Sequence, residues 1–147
     1  MELNILRADP AGNITVFVLD PVEKAQRAAI AEKIMEIPAL KAEQVGYACA
    51  AEDDVDGHME MMGGEFCGNA TRAYGMYIAQ QKGGLSSVRL RVSGCDHAVT
   101  AQVDLKSGTA RAEMPCPRSV KRVTVNGHEG TLVDLTGIAH FVVEGVE

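Results

Sequence analysis

The sequence predicts an α+β fold, in which two helices accompany about nine or ten short strands. Only two segments show apolar residues at helical spacing, whereas most of the remaining chain consists of β-branched or alternating runs separated by turn residues. The length of 147 residues is close to that of one ordinary domain, and we find no linker or internal repeat that would divide it. Most strands should be antiparallel, because short turns join them.

The first predicted elements are a strand and a helix. The strand is expected in the β-rich run NITVFVLD, residues 13–20, which follows a turn signal at residues 9–12. Helical spacing then extends from Pro21 to Met35, with Asp20 available as N-cap and proline at the first helical position. The helix should end before Pro38, because proline disfavours helical backbone in the preceding residue.

Two short strands and a second helix follow. The strands are expected at residues 43–50 and 58–62, on either side of an acidic turn at residues 52–57. The second helix is predicted from about Gly68 to Gln81, and the glycines at 83 and 84 should end it.

The rest of the chain is β in character. Strands are predicted at residues 87–94, 97–105, 108–115, 121–127, 130–136 and 139–145. The segment Asn126-Gly127-His128-Glu129-Gly130 predicts a hairpin turn. Strand-like sequence continues to Glu147, so we expect further structure after this residue.

Composition and charge narrow the classes of function. The net charge of −6 and the pI near 5.2 argue against nucleic acid or an anionic membrane as partner, because both attract basic surfaces. No apolar run is long enough to span a bilayer, and Glu2 and Asp9 lie where a signal peptide would be basic. We therefore expect a cytoplasmic protein.

The four cysteines should be reduced in the cytoplasm. None forms a Cys-x-x-Cys pair, and a zinc site would need distant Cys and His side chains to meet, so we predict no metal site. Cys49, Cys95 and Cys116 are most simply small buried hydrophobic residues.

Cys67 has a different context, because it lies within the run GGEFCGNATR. It immediately precedes the second predicted helix, where unpaired N–H groups and the positive end of the helix dipole favour a thiolate. The N–H groups of Gly68, Asn69 and Ala70 can hold a substrate carboxylate for the same reason. The neighbouring glycines allow a small molecule to approach the backbone closely.

These features permit more than one interpretation. A thiolate beside a bound amino-acid carboxylate can remove the Cα proton. Alternatively, the glycines only end the preceding strand and turn the chain into the helix. A third interpretation is nucleophilic catalysis by Cys67 with His58, His97 or His140 as base, although no protease-like signature is present.

Four stretches of the sequence, in order, resemble one family. The run GGEFCGNATR resembles the first-lobe active-site signature of the diaminopimelate epimerase superfamily. This superfamily comprises cofactor-independent amino-acid racemases and epimerases. Other conserved strands of that superfamily resemble PAGNITVFVLD, RLRVSGCDHAV and LTGIAHFVVE. Among the subfamilies, the histidine racemases of staphylopine-type metallophore pathways are the most similar.

The resemblance implies a two-base mechanism that uses neither pyridoxal phosphate nor metal. One cysteine removes the Cα proton, and a second returns a proton from the opposite face. By this resemblance Cys67 is the first base, Gly68 and Asn69 bind the α-carboxylate, Asn13 lines the substrate site and His140 lies near the crossover to a second lobe.

The resemblance also implies a fold and a domain organisation. Residues 1–147 should form one N-terminal lobe, a mostly antiparallel sheet or barrel wrapped on a central helix, and the second cysteine should come from a second lobe. The lobe alone should then be inactive. Two alternatives stay open: a homodimer in which two copies of Cys67 face each other, and a non-catalytic binding module.

Overall fold

The computed structural model describes residues 2–145. These residues form ten strands and two helices, as the sequence predicts, in the order β1 (Ile5–Ala8), β2 (Thr15–Val18), α1 (Lys24–Met35), β3 (Gln44–Cys49), β4 (Gly57–Met61), α2 (Gly68–Gln81), β5 (Ser87–Val92), β6 (Val99–Asp104), β7 (Thr109–Ala112), β8 (Ser119–Val125), β9 (His128–Leu135) and β10 (Ile138–Val142).

Seven strands form one sheet, in which β1 to β7 stand in chain order. Neighbours are antiparallel except for β2 with β3 and β4 with β5, which are parallel. In both of these pairs a helix joins the two strands, because parallel neighbours need a crossover connection that a tight turn cannot supply. The predicted α+β fold with a mostly antiparallel sheet is confirmed.

The two helices cover opposite faces of this sheet. In β2, Val16 and Val18 pack with Ile30 and Ile34 of α1. Phe17 lies between them in sequence and points to the other face, where it packs with α2. Because successive strand residues alternate between faces, β2 is buried along its whole length.

Helix α2 lies at the centre of the larger core, as predicted, and the sheet curls around it. Its Ala70, Tyr74 and Ala79 pack with apolar side chains from β2, β4, β5 and β6. At Gly75 the helix approaches β6 so closely that an added Cβ would lie 2.7 Å from the Cβ of Ala101. The close contact leaves room only for a hydrogen at this position.

The last three strands form a separate sheet in the order β10-β9-β8. A two-residue turn joins β8 to β9, in which Asn126 and Gly127 have φ values of 50° and 80°. Positive φ at both positions is typical of a type I′ hairpin turn, so the hairpin predicted at this point is confirmed. Several apolar side chains of this sheet are exposed, namely those of Val120, Val125, Ile138 and Val142.

Some boundaries differ from the prediction. Strand β1 is not predicted. Helix α1 begins only at Lys24, since the Asp20 carboxylate accepts hydrogen bonds from the backbone N–H and the side-chain amide of Asn4 and does not cap the helix. Strand β10 ends at Val142, and residues 146–147 lie outside the described part of the chain.

The cysteines that were expected to be buried are only partly so. Cys49 and Cys95 are half-buried, and Cys116 is exposed, so the prediction is wrong for Cys116. This residue lies on the irregular segment between β7 and β8 and belongs to neither of the two described core clusters. Within residues 2–145, no helix is both long and apolar enough to cross a membrane.

Candidate active site

Cys67 is the N-cap of α2. Its Sγ accepts a hydrogen bond from the Ala70 N–H at 3.4 Å, and its carbonyl oxygen accepts from the N–H and the hydroxyl of Thr71 at 2.9 and 2.8 Å. An N-cap side chain that accepts a backbone N–H satisfies one of the unpaired donors of the first turn. The sulfur is therefore held at the positive end of the helix dipole.

The segment before Cys67 is fixed by the loop that follows β5. Ser93 Oγ donates to the Glu65 carbonyl oxygen at 2.7 Å and accepts from the Met61 N–H at 2.8 Å. Gly94, with φ of 72°, lies so close to Phe66 that a Cβ would be 2.2 Å from the Phe66 backbone nitrogen. Only glycine fits this conformation and this distance. Two segments of the chain thus set the position of the thiol.

Cys67 faces a cavity of about 440 Å³. The start of α2, the segments before β2 and after β7, the beginning of β3 and the small sheet all contribute to its wall. Among the lining residues only Cys67 carries a thiol. The remaining lining residues are Asn13, Gln44, Glu65, Phe66, Gly68, Asn69, Arg72, Ala112, Met114, Leu135, Ile138 and His140.

A network of amide side chains surrounds the thiol. Gln44 Nε2 lies 3.2 Å from Cys67 Sγ, 2.9 Å from Asn13 Oδ1 and 2.8 Å from Thr15 Oγ1. The Asn69 side-chain amide donates to the same Asn13 oxygen at 3.3 Å. The parallel register that pairs Thr15 with Gln44 brings these residues together. Two possible N–H donors, Gln44 Nε2 and the Ala70 N–H at the helix start, thus lie within hydrogen-bond distance of the sulfur.

The first turn of α2 offers further donors beside the thiol. Among residues 2–145, the backbone N–H groups of Gly68 and Asn69 have no acceptor. The Arg72 guanidinium lines the cavity and donates to Asn69 Oδ1, which adds a positive charge on the same side. Free N–H groups at a helix start with a cation nearby form a site for a carboxylate.

The structure brings most of the predicted site residues together. Ala70 is the exception, because it is buried and its N–H is directed at Cys67 Sγ rather than at the cavity. The exposed residue His140 reaches the cavity from β10. The predicted residues that line the cavity are Asn13, Cys67, Gly68, Asn69 and His140. Their roles in binding and catalysis stay predictions.

The sequence assigns no site role to three polar residues of this cavity, Gln44, Glu65 and Arg72, and it favours a solvated helix face for Arg72. Gln44 gives no signal because its position depends on the pairing of β2 with β3, which are far apart in sequence. Arg72 lies on α2 at a spacing of three from Asn69, where side chains share a helix face, so helical periodicity offers a signal for it.

A second polar cluster lies away from the cavity, where α1 meets β3 and β4. Arg27 forms an ion pair with Glu60 and lies 3.5 Å from Cys49 Sγ. Burial raises the pKa of Glu60, but the hydrogen bond and the charge of Arg27 outweigh this effect, so the pKa is lowered. Burial, aided by the nearby Glu60, raises the pKa of Cys49.

Comparison with known proteins identifies the family. A family model described as the histidine racemase CntK N-terminal domain matches residues 2–147. Histidine racemases from two strains of Fusobacterium nucleatum subsp. nucleatum are 32% and 30% identical over 95% of this chain and 54% of their own length. A histidine racemase from Staphylococcus aureus is 31% identical over 80% of this chain and 44% of its own length.

The chain spans about half the length of the curated relatives that it matches. The matches cover nearly all of its elements, from β1 to β10. The chain therefore belongs to the family of histidine racemase CntK N-terminal domains.

Proposed function

We propose that residues 1–147 form the N-terminal lobe of a cofactor-independent amino-acid racemase and that histidine is its substrate. The observation that carries the proposal is the position of Cys67, whose Sγ faces the cavity directly beside the free N–H groups of Gly68 and Asn69. The names of the relatives support histidine as the amino acid.

The geometry supports a defined sequence of events. The α-carboxylate of the substrate binds to the N–H groups of Gly68 and Asn69, with Arg72 nearby. The atom next to that carboxylate is Cα, which then lies close to Cys67 Sγ. The thiolate removes the Cα proton, and a group on the opposite face of the planar carbanion returns a proton, which inverts the stereocentre.

Stabilisation of the carbanion is the main demand of this reaction, because a Cα proton is only weakly acidic. The negative charge spreads onto the carboxylate, which the N–H donors and the Arg72 guanidinium face. Preorganised donors of this kind stabilise a developing charge at no cost in reorganisation. We therefore propose that the reaction proceeds without a cofactor at Cα.

We propose that the second acid or base is a thiol from another surface, since Cys67 is the only thiol among the residues that line the cavity. Ile138 of β10 lines the cavity, and further apolar side chains of the same sheet are exposed, which supports a lobe or copy that packs on this sheet. A second lobe is the proposal we favour, because the relatives are about twice as long as this chain. A two-fold homodimer is the second candidate.

The direct test is proton NMR in deuterium oxide with L-histidine and the complete protein that carries this lobe. We expect loss of the Cα proton signal and formation of D-histidine, which chiral chromatography detects. A panel of other L-amino acids, including diaminopimelate, tests the substrate. Binding of histidine without deuterium incorporation would overturn the racemase in favour of a binding module.

We also propose a cytoplasmic location. All four cysteines are free thiols, which is the state expected in a reducing compartment. The net charge of −6 supports the absence of a nucleic-acid partner. Fractionation of cells with an antibody against the chain tests the location.

A further inference from the structure

Two charged side chains lie at opposite ends of the amide network around Cys67. Arg72 donates to Asn69 Oδ1, and Asn69 Nδ2 in turn donates to Asn13 Oδ1 at 3.3 Å. Asn13 Nδ2 lies 3.0 Å from Glu43 Oε2. The hydrogen bonds therefore run in one direction, from a guanidinium through two amides to a carboxylate.

The chemistry of the two ends fixes this direction. A guanidinium can only donate hydrogen bonds, and an ionised carboxylate can only accept them. Arg72 therefore faces the oxygen of the Asn69 amide, and Glu43 faces the nitrogen of the Asn13 amide. An amide that is turned over would lose the bond to its charged neighbour and would set two N–H groups or two oxygens against each other. The orientation of both amides thus follows from donor and acceptor types.

The same direction extends to Gln44, which lies beside the thiol. Asn13 Oδ1 accepts from Gln44 Nε2 at 2.9 Å as well as from Asn69. The buried hydroxyl of Thr15 donates to the Asn13 carbonyl oxygen at 3.2 Å, so its lone pairs are left to accept from Gln44 Nε2 at 2.8 Å. Both contacts require the nitrogen of the Gln44 amide on this side, and this nitrogen lies 3.2 Å from Cys67 Sγ.

The backbone holds Glu43 beside Asn13. The Glu43 N–H donates to the Ile14 carbonyl oxygen at 2.9 Å, which continues the parallel pairing of β2 with β3 by one residue. Because Ile14 directly follows Asn13, the carboxylate lies next to the Asn13 amide. Glu43 itself is exposed and is not among the described residues that line the cavity. Its contact with the site therefore runs through Asn13.

We propose that Glu43 is a positioning residue of the active site, a role that rests on the proposed function of Cys67 as base. Glu43 holds the Asn13 amide in the orientation that keeps the nitrogen of Gln44 toward the sulfur. A hydrogen bond donated to a thiolate favours the charged form, whereas a carbonyl oxygen in the same place disfavours it. Glu43 thus sets the reactivity of the thiol from outside the cavity.

Replacement of Glu43 by lysine tests the direction of the network. The network would then carry a donor at both ends, so at least one of its hydrogen bonds would break. Gln44 would lose its fixed orientation, and the sulfur would lose its side-chain donor. A charge effect alone predicts the opposite result, because positive charge gained near a thiolate stabilises it. The two explanations therefore give opposite changes in the reactivity of Cys67.

The measurement is alkylation of Cys67 by iodoacetamide in the complete protein that carries this lobe, followed against pH by mass spectrometry that resolves each cysteine. Iodoacetamide reacts with the thiolate, so no substrate is needed. For Glu43→Lys we expect alkylation near neutral pH to be about 10-fold slower and its pH profile to move to higher pH. Glu43→Gln keeps an oxygen that can accept from Asn13, so it should react within about 2-fold of the parent.

Glu36→Lys is the matched control. It makes the same change of charge at an exposed position directly after α1, and it should alkylate like the parent. Circular dichroism checks that each variant is folded, which the exposure of Glu43 favours. Alkylation of Glu43→Lys as fast as that of the parent, or faster, would overturn the proposal, and so would equal slowing in Glu43→Gln.

Deuterium incorporation into L-histidine separates this proposal from the proposed function. Glu43→Lys should lower kcat about 10-fold with a smaller effect on KM, because the base and not the binding groups is changed. A parent protein that does not exchange the Cα proton would overturn the racemase, whereas the alkylation profiles would still decide the role of Glu43.

Discussion

At the scale of single residues, Cys67 has two roles that a substitution can separate. It caps α2 through the Ala70 N–H, and it presents a thiol to the cavity. Serine is a good N-cap, so Cys67→Ser should change stability by less than about 1 kcal/mol. Its hydroxyl is not ionised near neutral pH, so racemisation by the complete protein should fall at least about 100-fold.

Deuterium incorporation into L-histidine and thermal unfolding measure these two effects. Cys49→Ser is the control, because Cys49 is also half-buried but lies in another cluster, and it should retain full activity. Near-normal turnover in Cys67→Ser would contradict the assignment of Cys67 as a base.

Gln44 provides a second prediction at this scale. Its amide donates toward Cys67 Sγ and Asn13 Oδ1, and the isosteric change Gln44→Glu replaces these donors with a carboxylate. Repulsion between the carboxylate and the thiolate should lower kcat about 10- to 100-fold, with a smaller effect on KM. Gln102→Glu, on the exposed face of β6, is the matched control. Equal kcat in the two variants would show that Gln44 does not act on the thiol.

The sequence reveals part of this site for a physical reason. Cys67, Gly68 and Asn69 are contiguous, and a helix start brings their functional groups together without help from distant residues. Gln44 becomes a neighbour of Cys67 only through the register of two strands, which no local pattern encodes. The resemblance to a family supplied Asn13 and His140, which local chemistry does not indicate.

At the scale of elements, the agreement between predicted and observed helix bounds depends on which contacts the terminal residues make. The predicted bounds of α2 are correct because an N-cap and the two glycines after it act locally. The start of α1 is wrong because Asp20, a good N-cap by type, instead binds Asn4 from the segment before β1. A residue of good N-cap type does not cap its helix where a tertiary contact engages its side chain.

The packing of α2 on β6 leads to a stability prediction. Gly75→Ala would gain about 1 kcal/mol of helix propensity, but the new Cβ would lie 2.7 Å from the Ala101 Cβ. Overpacking of a core costs about 1–3 kcal/mol, so we expect a net loss of stability in urea unfolding. Gln80→Ala, at an exposed position of the same helix, should have almost no effect. Equal or greater stability in Gly75→Ala would contradict the prediction and would show that β6 can move to accommodate the new methyl group.

The ion pair between α1 and β4 predicts a dependence of stability on pH. The pKa of Glu60 is lowered in the folded state, so its contribution is present above the pKa of the unfolded chain and is lost as the pH falls through the folded value. The free energy of unfolding should therefore decrease in the acidic range. Glu60→Gln should reduce that decrease and should cost about 1 kcal/mol at neutral pH.

Urea unfolding between neutral and acidic pH measures this dependence, with Glu52→Gln as the control. Glu52 is also ion-paired, with Arg91, but its side chain is 70% exposed. If Glu60→Gln and the parent lose stability equally on acidification, the pair with Arg27 does not carry the effect.

At the scale of the whole molecule, the two sheets differ in how well their faces are covered. The seven-stranded sheet has a helix on each face, whereas the small sheet leaves Val120, Val125 and Val142 exposed. The sequence predicts the strands of both sheets except β1, because alternation is a local property. It does not predict that they separate into two sheets, because this depends on which strands pair.

The uncovered sheet leads to a prediction about the isolated chain. Without a second lobe, the 147-residue chain should exchange the Cα proton of L-histidine at least about 100-fold more slowly than the complete protein, because the described lining of the cavity holds no second thiol and the substrate is not enclosed. NMR in deuterium oxide measures the exchange, and sedimentation measures the mass. Rapid exchange by a chain that sediments as a dimer would instead support two facing copies of Cys67.

The order of strands in the large sheet matches their order along the chain, from β1 to β7. Each strand pairs with the one synthesised immediately before it, and each helix is made before some of the strands on which it packs, β3 for α1 and β5 and β6 for α2. A nascent chain that leaves the ribosome N-terminus first can therefore add strand after strand to a growing edge and need not wait for a distant partner. Pauses in translation should leave partial sheets of native register, in which each new strand packs on a helix that has already been made.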